Sequence, residues 1–375
     1  MFDIDPILYI GISQSFFSGL LISLKRPATT ADKIMSAWIF LICIEFLFAL
    51  LNKNLVSIYS FPFVAFTYGP LLYLYVLFMT EPSRKFNTYS LFHFIPFTIF
   101  FTVSVLFRAQ PLVENLNAFF EPDRFKSLRI IYGLSFFLSL TIYSSLTFNR
   151  IRLHQQKLRD VVSYTSGVIT LNWLKVVSIS FYAIYVMLFI LGGLDILGNY
   201  IPFDPYYITF GFLTLFSFMF AFYGIRQSMI AEVSNEAESK KDEKYSRSGL
   251  KENQAEEYLQ NLLAYVEKNK PYLDQNLNIN DLASMTGIPR HYITQVLNET
   301  HGRNFFTFIN EYRIREVLER FSDSKYNHYT ILAIAFDSGF NSKSTFNAFF
   351  KRQTGLTPRE YRSNPRESLI HQGQT

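Results

Sequence analysis

The sequence predicts an all-α chain in two parts: an N-terminal helical membrane domain of about seven spans and a C-terminal all-α domain of tandem helix-turn-helix units. Two observations carry this. Roughly the first 230 of the 375 residues are greasy and aromatic, and hold most of the 41 Phe and 24 Tyr. The remainder is polar and charged, and its apolar residues return at the three- and four-residue spacing of amphipathic helices. Three segments follow: 1–228 in the membrane, a charged linker over 229–252, and a soluble domain over 253–375.

The apolar stretches are Ile7–Leu24, Ile34–Leu51, Phe63–Met79, Leu91–Phe107, Ile130–Phe148, Trp173–Leu191 and Ile208–Tyr223. Each comes near the ~17–25 residues that cross ~30 Å of hydrocarbon. Helices apolar on every side, repeated this often, do not fit a soluble core. The third stretch contains Gly69-Pro70, a kink that membrane helices tolerate. The first is not read as a cleaved signal peptide, because Asp3 and Asp5 precede it and Lys25-Arg26 follow.

Basic residues set the orientation. With the N-terminus outside, the inner loops hold Lys25, Arg26 and Lys33, then Arg84 and Lys85, then Arg150, Arg152, Lys157 and Arg159. The bias favours an outer N-terminus and a cytoplasmic C-terminus; the mixed loop around Arg108 and Arg129 is the conflicting one. Tyr59, Tyr68, Trp173, Tyr200, Tyr206 and Tyr207 fall near span ends, as an interfacial aromatic belt would. The single cysteine, Cys43, excludes an intramolecular disulfide and a cysteine-rich zinc site, and reads as apolar packing. Glu45, within the second span, is costly in hydrocarbon. It reads either as part of a ligand- or proton-sensing pocket or as an interhelical hydrogen-bonding group.

The linker is nearly devoid of apolar residues and mixes both charge signs, so it cannot fold alone. It is either a tether or a dimerising helix continuing the seventh span. Beyond it, Tyr258, Leu259, Leu262, Leu263 and Val266 form one apolar face, and Pro271 ends that helix. In a first helix-turn-helix, Asn278 caps, Asp281 favours the helix start, and Leu282, Ala283 and Met285 face inward. Gly287 makes the turn and Pro289 opens a helix to about Thr300. That helix buries Ile293, Val296 and Leu297, and exposes Arg290, His291, Thr294, Gln295 and Asn298. A long helix, about Phe305–Phe321, follows. The pattern then repeats: Thr330 caps, Gly339-Phe340 turns, and Ser342 caps a helix to about Thr354. The latter buries Phe346, Phe349 and Phe350, and exposes Lys343, Ser344, Asn347, Lys351 and Arg352.

The segment from Ile331 to Arg362, with its Gly339-Phe340 turn, Phe349-Phe350-Lys351 run, Thr354-Gly355 and Thr357-Pro358…Tyr361-Arg362 ending, resembles the AraC/XylS type of transcription regulator. The upstream half agrees through Leu282-Ala283, Gly287, Phe305, Asn310 and Tyr312-Arg313, so the resemblance covers about Tyr258–Arg362. It implies that the long helix holds two recognition helices about one DNA turn apart, in successive major grooves. By that similarity the base-reading candidates are His291, Thr294, Gln295, Lys343, Ser344 and Asn347, residue types that can pair with base edges. Arg290, Arg313, Lys351, Arg352 and Arg362 are the phosphate candidates. Ala348 departs from the family where an arginine is common, and Ala333 where an acidic residue is common. From Leu250 onward 15 basic residues face 14 acidic ones, so nonspecific DNA affinity should be modest.

The expected function is a membrane-bound, sequence-specific transcription regulator in a bacterial inner membrane. It would be a one-component sensor, or a regulator whose spans only tether it. Expected partners are double-stranded operator DNA, the lipid bilayer, a second copy in a homodimer, RNA polymerase for an activator, and an effector of unknown chemistry. No cofactor, metal or enzymatic activity is expected. The alternative is a membrane enzyme or transporter with a regulatory DNA-binding tail, which no ligand spacing, phosphate loop or nucleophile arrangement supports.

Overall fold

A computed structural model describes residues 4–54, 64–107, 126–164, 170–198, 206–226 and 252–363. The expected linker lies outside the described residues. The chain divides into two compact units: Met1–Arg152 with Leu171–Ser239, and Leu153–Thr170 with Lys240–Thr375. Among the described residues every regular element is helical, with one isolated bridge between Val162 and Asn278.

The first unit has a helix at each apolar stretch: α1 (Asp5–Ser23), α2 (Thr30–Asn54), α3 (Ala65–Thr80), α4 (Ile95–Phe107), α5 (Lys126–Arg159), α6 (Asn172–Gly198) and α7 (Tyr206–Arg226). A 3-10 turn over Thr88–Phe94 precedes α4, and α5 runs on into the second unit. Among the described residues four helices are long and apolar enough to cross a membrane: α1, Thr30–Leu51 of α2, α5, and Asn172–Leu191 of α6. The apolar helices at Ala65–Thr80, Thr88–Val103 and Ile208–Gly224 are shorter.

Small residues bring α1 and α2 together. The buried stripe of α1 is Leu8, Gly11, Ser15, Ser18, Gly19 and Ile22. A Cβ at Gly11 would lie 2.5 Å from the Phe46 ring, so only glycine admits that approach. The Ser36 hydroxyl donates to the Gly19 carbonyl at 2.9 Å, satisfying a buried polar group across the pair. Trp38, on α2, lies with its ring centroid 5.1 Å from Phe216 and 5.0 Å from Phe220 of α7. Phe16, Phe17, Leu134 and Leu215 are each more than half exposed, an outward apolar surface.

Two members of the expected belt lie elsewhere. Tyr68 is fully buried and its hydroxyl donates to the Glu45 carboxylate, tying α3 to α2. Trp173 is buried and stacks on Tyr223 at 4.6 Å. Nearness to a span end in sequence says nothing of which face a side chain takes, and both fall on inward faces. Tyr59 and Tyr200 lie outside the described residues. Cys43 is buried, as its apolar setting suggests.

The second unit comprises α8 (Glu252–Asn269), α9 (Ile279–Thr286), α10 (Arg290–Gln295, closed by a π turn over Val296–Thr300), α11 (Phe305–Ser322), α12 (Ile331–Asp337), α13 (Lys343–Thr354) and α14 (Pro358–Ser363). It also contains the end of α5 and the turn that follows it, residues the sequence assigned to 1–228. Its core gathers Ile314, Val317, Ile334, Ala335, Phe340, Phe346, Phe349 and Phe350 around α11.

Candidate nucleic-acid interface

The first helix-turn-helix is set by local chemistry. The Asn278 side chain accepts from the amides of Asn280 (2.8 Å) and Asp281 (3.1 Å), and Asp281 accepts from the Asn278 amide at 3.0 Å. This capping box satisfies the orphan donors that start α9. Gly287 ends α9 at φ +70°, a left-handed conformation that favours glycine. Pro289 stands just before α10 as its cap, not as its first helical residue. Ile293, Val296 and Leu297 are buried as their spacing predicts. Met285 is 47% exposed, a correction to its expected inward place, because α9 is short and only Ile279 and Leu282 reach the core.

Of the first unit's base candidates, His291 is exposed, while Thr294 and Gln295 are half-buried. The Thr294 hydroxyl donates to the Arg290 carbonyl (3.1 Å), and the Gln295 amide donates to Glu299 (2.9 Å). In the second unit Ser342 caps α13 by accepting from the Thr345 amide, and Gly355 ends it at φ +75°. Lys343, Ser344, Asn347 and Lys351 are all exposed along it, and Phe346, Phe349 and Phe350 hold its other face in the core. Arg352 is exposed too, its guanidinium 4.3 Å from the Phe349 ring and 3.7 Å from Glu311.

Two phosphate candidates are engaged within the fold. Arg313 is only 1% exposed. Its Nε donates to the Tyr272 carbonyl (2.8 Å), Nη1 to the Ser163 carbonyl (2.7 Å), and Nη2 to the Asp274 carbonyl (2.6 Å) and Ser163 hydroxyl (3.0 Å). A fork so engaged staples the fold and has no donor for DNA. Burial lowers its pKa to about 9, against the opposing pull of Asp274, so it stays charged at neutral pH. Arg362 donates to the carbonyls of Tyr326 (3.1 Å), Asn327 (2.9 Å) and Tyr329 (2.7 Å), closing the turn before α12. The third, Arg290, is half-buried beside Asp160, whose charge acts on it.

The end of α5 supplies residues that sequence reasoning left out. The Ser163 amide donates to the Leu277 carbonyl (3.2 Å) and the Ile279 amide to the Val161 carbonyl (2.9 Å), a short antiparallel pairing at the start of α9. Asn310 donates to the Ser163 carbonyl at 3.0 Å. Asp160 hydrogen-bonds Asn298; burial raises its pKa against that bond and Arg290. Gln156, Arg159 and Asp160 line one wall of a polar cleft of about 470 Å³, and Asn298, Gly302, Arg303 and Asn304 the other. Arg303 and Arg359 are further exposed cations of this unit that the family pattern did not single out.

Residues 282–364 match a family model described as a helix-turn-helix domain. The melibiose operon regulatory protein of Escherichia coli (strain K12) is 30% identical over 108 residues, 29% of this chain and 34% of that protein. The regulatory protein SoxS of the same organism is 28% identical over 104 residues, 28% of this chain and 92% of its own length. An uncharacterized HTH-type transcriptional regulator of Staphylococcus aureus (strain COL) is 29% identical over 93 residues, 12% of its length. The chain thus spans about a third of the first of these relatives. No solved structure matches the chain.

Proposed function

We infer from a C-terminal segment that is an AraC-type helix-turn-helix domain, joined to a bundle of apolar helices, that this chain is a membrane-anchored, sequence-specific regulator of transcription. The observation that carries the reading is the pair of helices α10 and α13, held to one core by α11, in a chain with four apolar helices of membrane-crossing length among the described residues. In this reading α10 and α13 enter successive major grooves, with His291, Thr294 and Gln295 reading one site and Lys343, Ser344 and Asn347 the other. Lys351, Arg352 and Arg290 hold phosphates, which adds affinity without sequence information. The spans fix the reader at the bilayer, and a change in their packing alters its access to DNA. Glu45, bonded to Tyr68 between α2 and α3, is the candidate sensing position. A homodimer, RNA polymerase and an effector are partners of this reading.

The test is genomic occupancy of the full-length protein beside its Lys343→Ala and Gln295→Ala variants. A base contact is worth about 1–3 kcal/mol, so each variant should lose the discrete sites of the parent. Occupancy without discrete sites, or sites unchanged in both variants, would overturn the reading.

A further inference from the structure

The turn after α5 is gripped by the DNA-binding unit at three levels. Its backbone pairs with Leu277–Ile279 at the start of α9. Ser163 is fully buried, and Arg313 and Asn310 of α11 hold its carbonyl at 2.7 and 3.0 Å. Asp160 faces Asn298 across the polar cleft and hydrogen-bonds it, at one end of the Arg290–Thr294–Asn298 row that runs from the first reading helix into its closing turn, with members every fourth residue. The backbone pairing and the Arg313 grip leave this carboxylate little freedom to leave while the turn stays docked. Arg290, at the row's other end, feels its charge.

We propose that the segment Asp160–Ser163 is an intramolecular brake on DNA binding: Asp160 holds the Arg290–Asn298 row in the place of a DNA phosphate, and Arg313 and Asn310 keep it there through Ser163. The proposal rests on the DNA-reading function above. A phosphate approaching Arg290 meets a fixed carboxylate, and like charges at such range repel. Asp160 follows α5 without a break, so a shift of the end of α5 moves it directly. Withdrawal of the turn returns Arg290 to the DNA and supplies the link between spans and reader.

The experiment uses the full-length protein in lipid nanodiscs and a 30-base-pair duplex of mixed sequence, since a phosphate contact needs no operator. Binding is read by fluorescence anisotropy at low salt for the parent, Asp160→Asn, Arg290→Ala and the double variant. Asparagine keeps a partner for Asn298, so the fold should hold, which the melting temperature checks. Asp160→Asn should tighten binding by roughly 3- to 10-fold, with a steeper salt dependence as one more phosphate is neutralised. In the Arg290→Ala background the same change should do nothing, the mark of a direct pair. A parent and Asp160→Asn that agree within twofold, or a gain that survives Arg290→Ala, overturns the brake. Lys343→Ala separates the two failures. If it weakens binding while Asp160→Asn is silent, only the brake falls; if no form binds, the DNA-reading function falls and the brake with it.

Discussion

Gly339 occupies the tightest point of the second helix-turn-helix. Its φ of +94° lies where L side chains are strained, and a Cβ there would overlap the Tyr272 carbonyl oxygen and lie 2.8 Å from Arg313 Nε. Gly287, at φ +70°, meets no neighbour within 4 Å. The two turns therefore predict different penalties. Gly287→Ala should cost about 1 kcal/mol of backbone strain, and Gly339→Ala at least ~3 kcal/mol because the Arg313 staple must also shift. Hydrogen exchange at the α11 amides would read these as rises of about 5-fold and at least ~150-fold; equal effects would mean that the Tyr272–Arg313 contact yields. Both glycines are legible as turns from sequence, but the difference between them is not. It depends on a carbonyl some 70 residues away in sequence. Arg313 tells the same story in reverse. It lies on the stripe Ile309–Arg313–Val317, whose apolar members are buried, so spacing marks it as internal. Its charge, and its place in a familiar Tyr-Arg pair, suggest a surface role, and here spacing is the better guide.

At the scale of elements, the caps, the reading helices and their buried faces follow from spacing and capping chemistry, because each is decided within a few residues. What escapes is pairing between distant segments, such as Val162 with Asn278, which leaves no periodic trace. The tie between α11 and the turn after α8 is of the same kind. Glu316, 7% exposed, accepts from Lys270 (2.8 Å), Arg320 (2.9 Å) and the Tyr272 hydroxyl (3.2 Å). Burial pushes its carboxyl up, but the bonds from Lys270 and Arg320 outweigh that and hold it below the usual glutamate value. A carboxylate held low in the fold adds stability that is fully present above the unfolded pKa of about 4.3 and fades as pH falls through the lower folded value. Acid unfolding of this unit should therefore lose a component below about pH 4.3 in Glu316→Gln. That variant should be less stable at neutral pH by about 1–3 kcal/mol and nearer the parent in acid. Urea titrations at pH 7 and pH 3 would show it; a gap between the two proteins that is the same at both pH values would rule the carboxylate out.

For the whole molecule, the arrangement of turns limits the topology more sharply than helix length does. By length α3, α4 and α7 are marginal, and an uncertain number of crossings would leave the side of the C-terminus open. Contacts narrow that freedom. Residues 161–163 pair with residues 277–279, so any membrane must be crossed an even number of times between them. Of the described apolar helices only α6 and α7 lie there, so α7 is the described partner for any crossing by α6; its 21 residues reach about 32 Å, its apolar part over Ile208–Gly224 less. Glu81, just past α3, pairs with Arg150 near the end of α5 at 2.5 Å, so these two helix ends lie together. Lys25, just past α1, donates to the carbonyl of Gly224 near the end of α7 at 3.1 Å and pairs with Asp32 at the start of α2. Lys25 and Arg150 thus each tie two helix ends of the bundle together. Single cysteines in a Cys43→Ser background test the orientation with a membrane-impermeant maleimide. Arg84→Cys, Lys157→Cys and Ser363→Cys should label only after permeabilisation, and Asp5→Cys on intact cells. Arg84→Cys labelled on intact cells would mean that α3 and α4 dip into the bilayer without crossing it, leaving five spans and the same cytoplasmic reader. Ser363→Cys labelled on intact cells would put the helix-turn-helix units away from DNA, and no regulator of transcription could work from there.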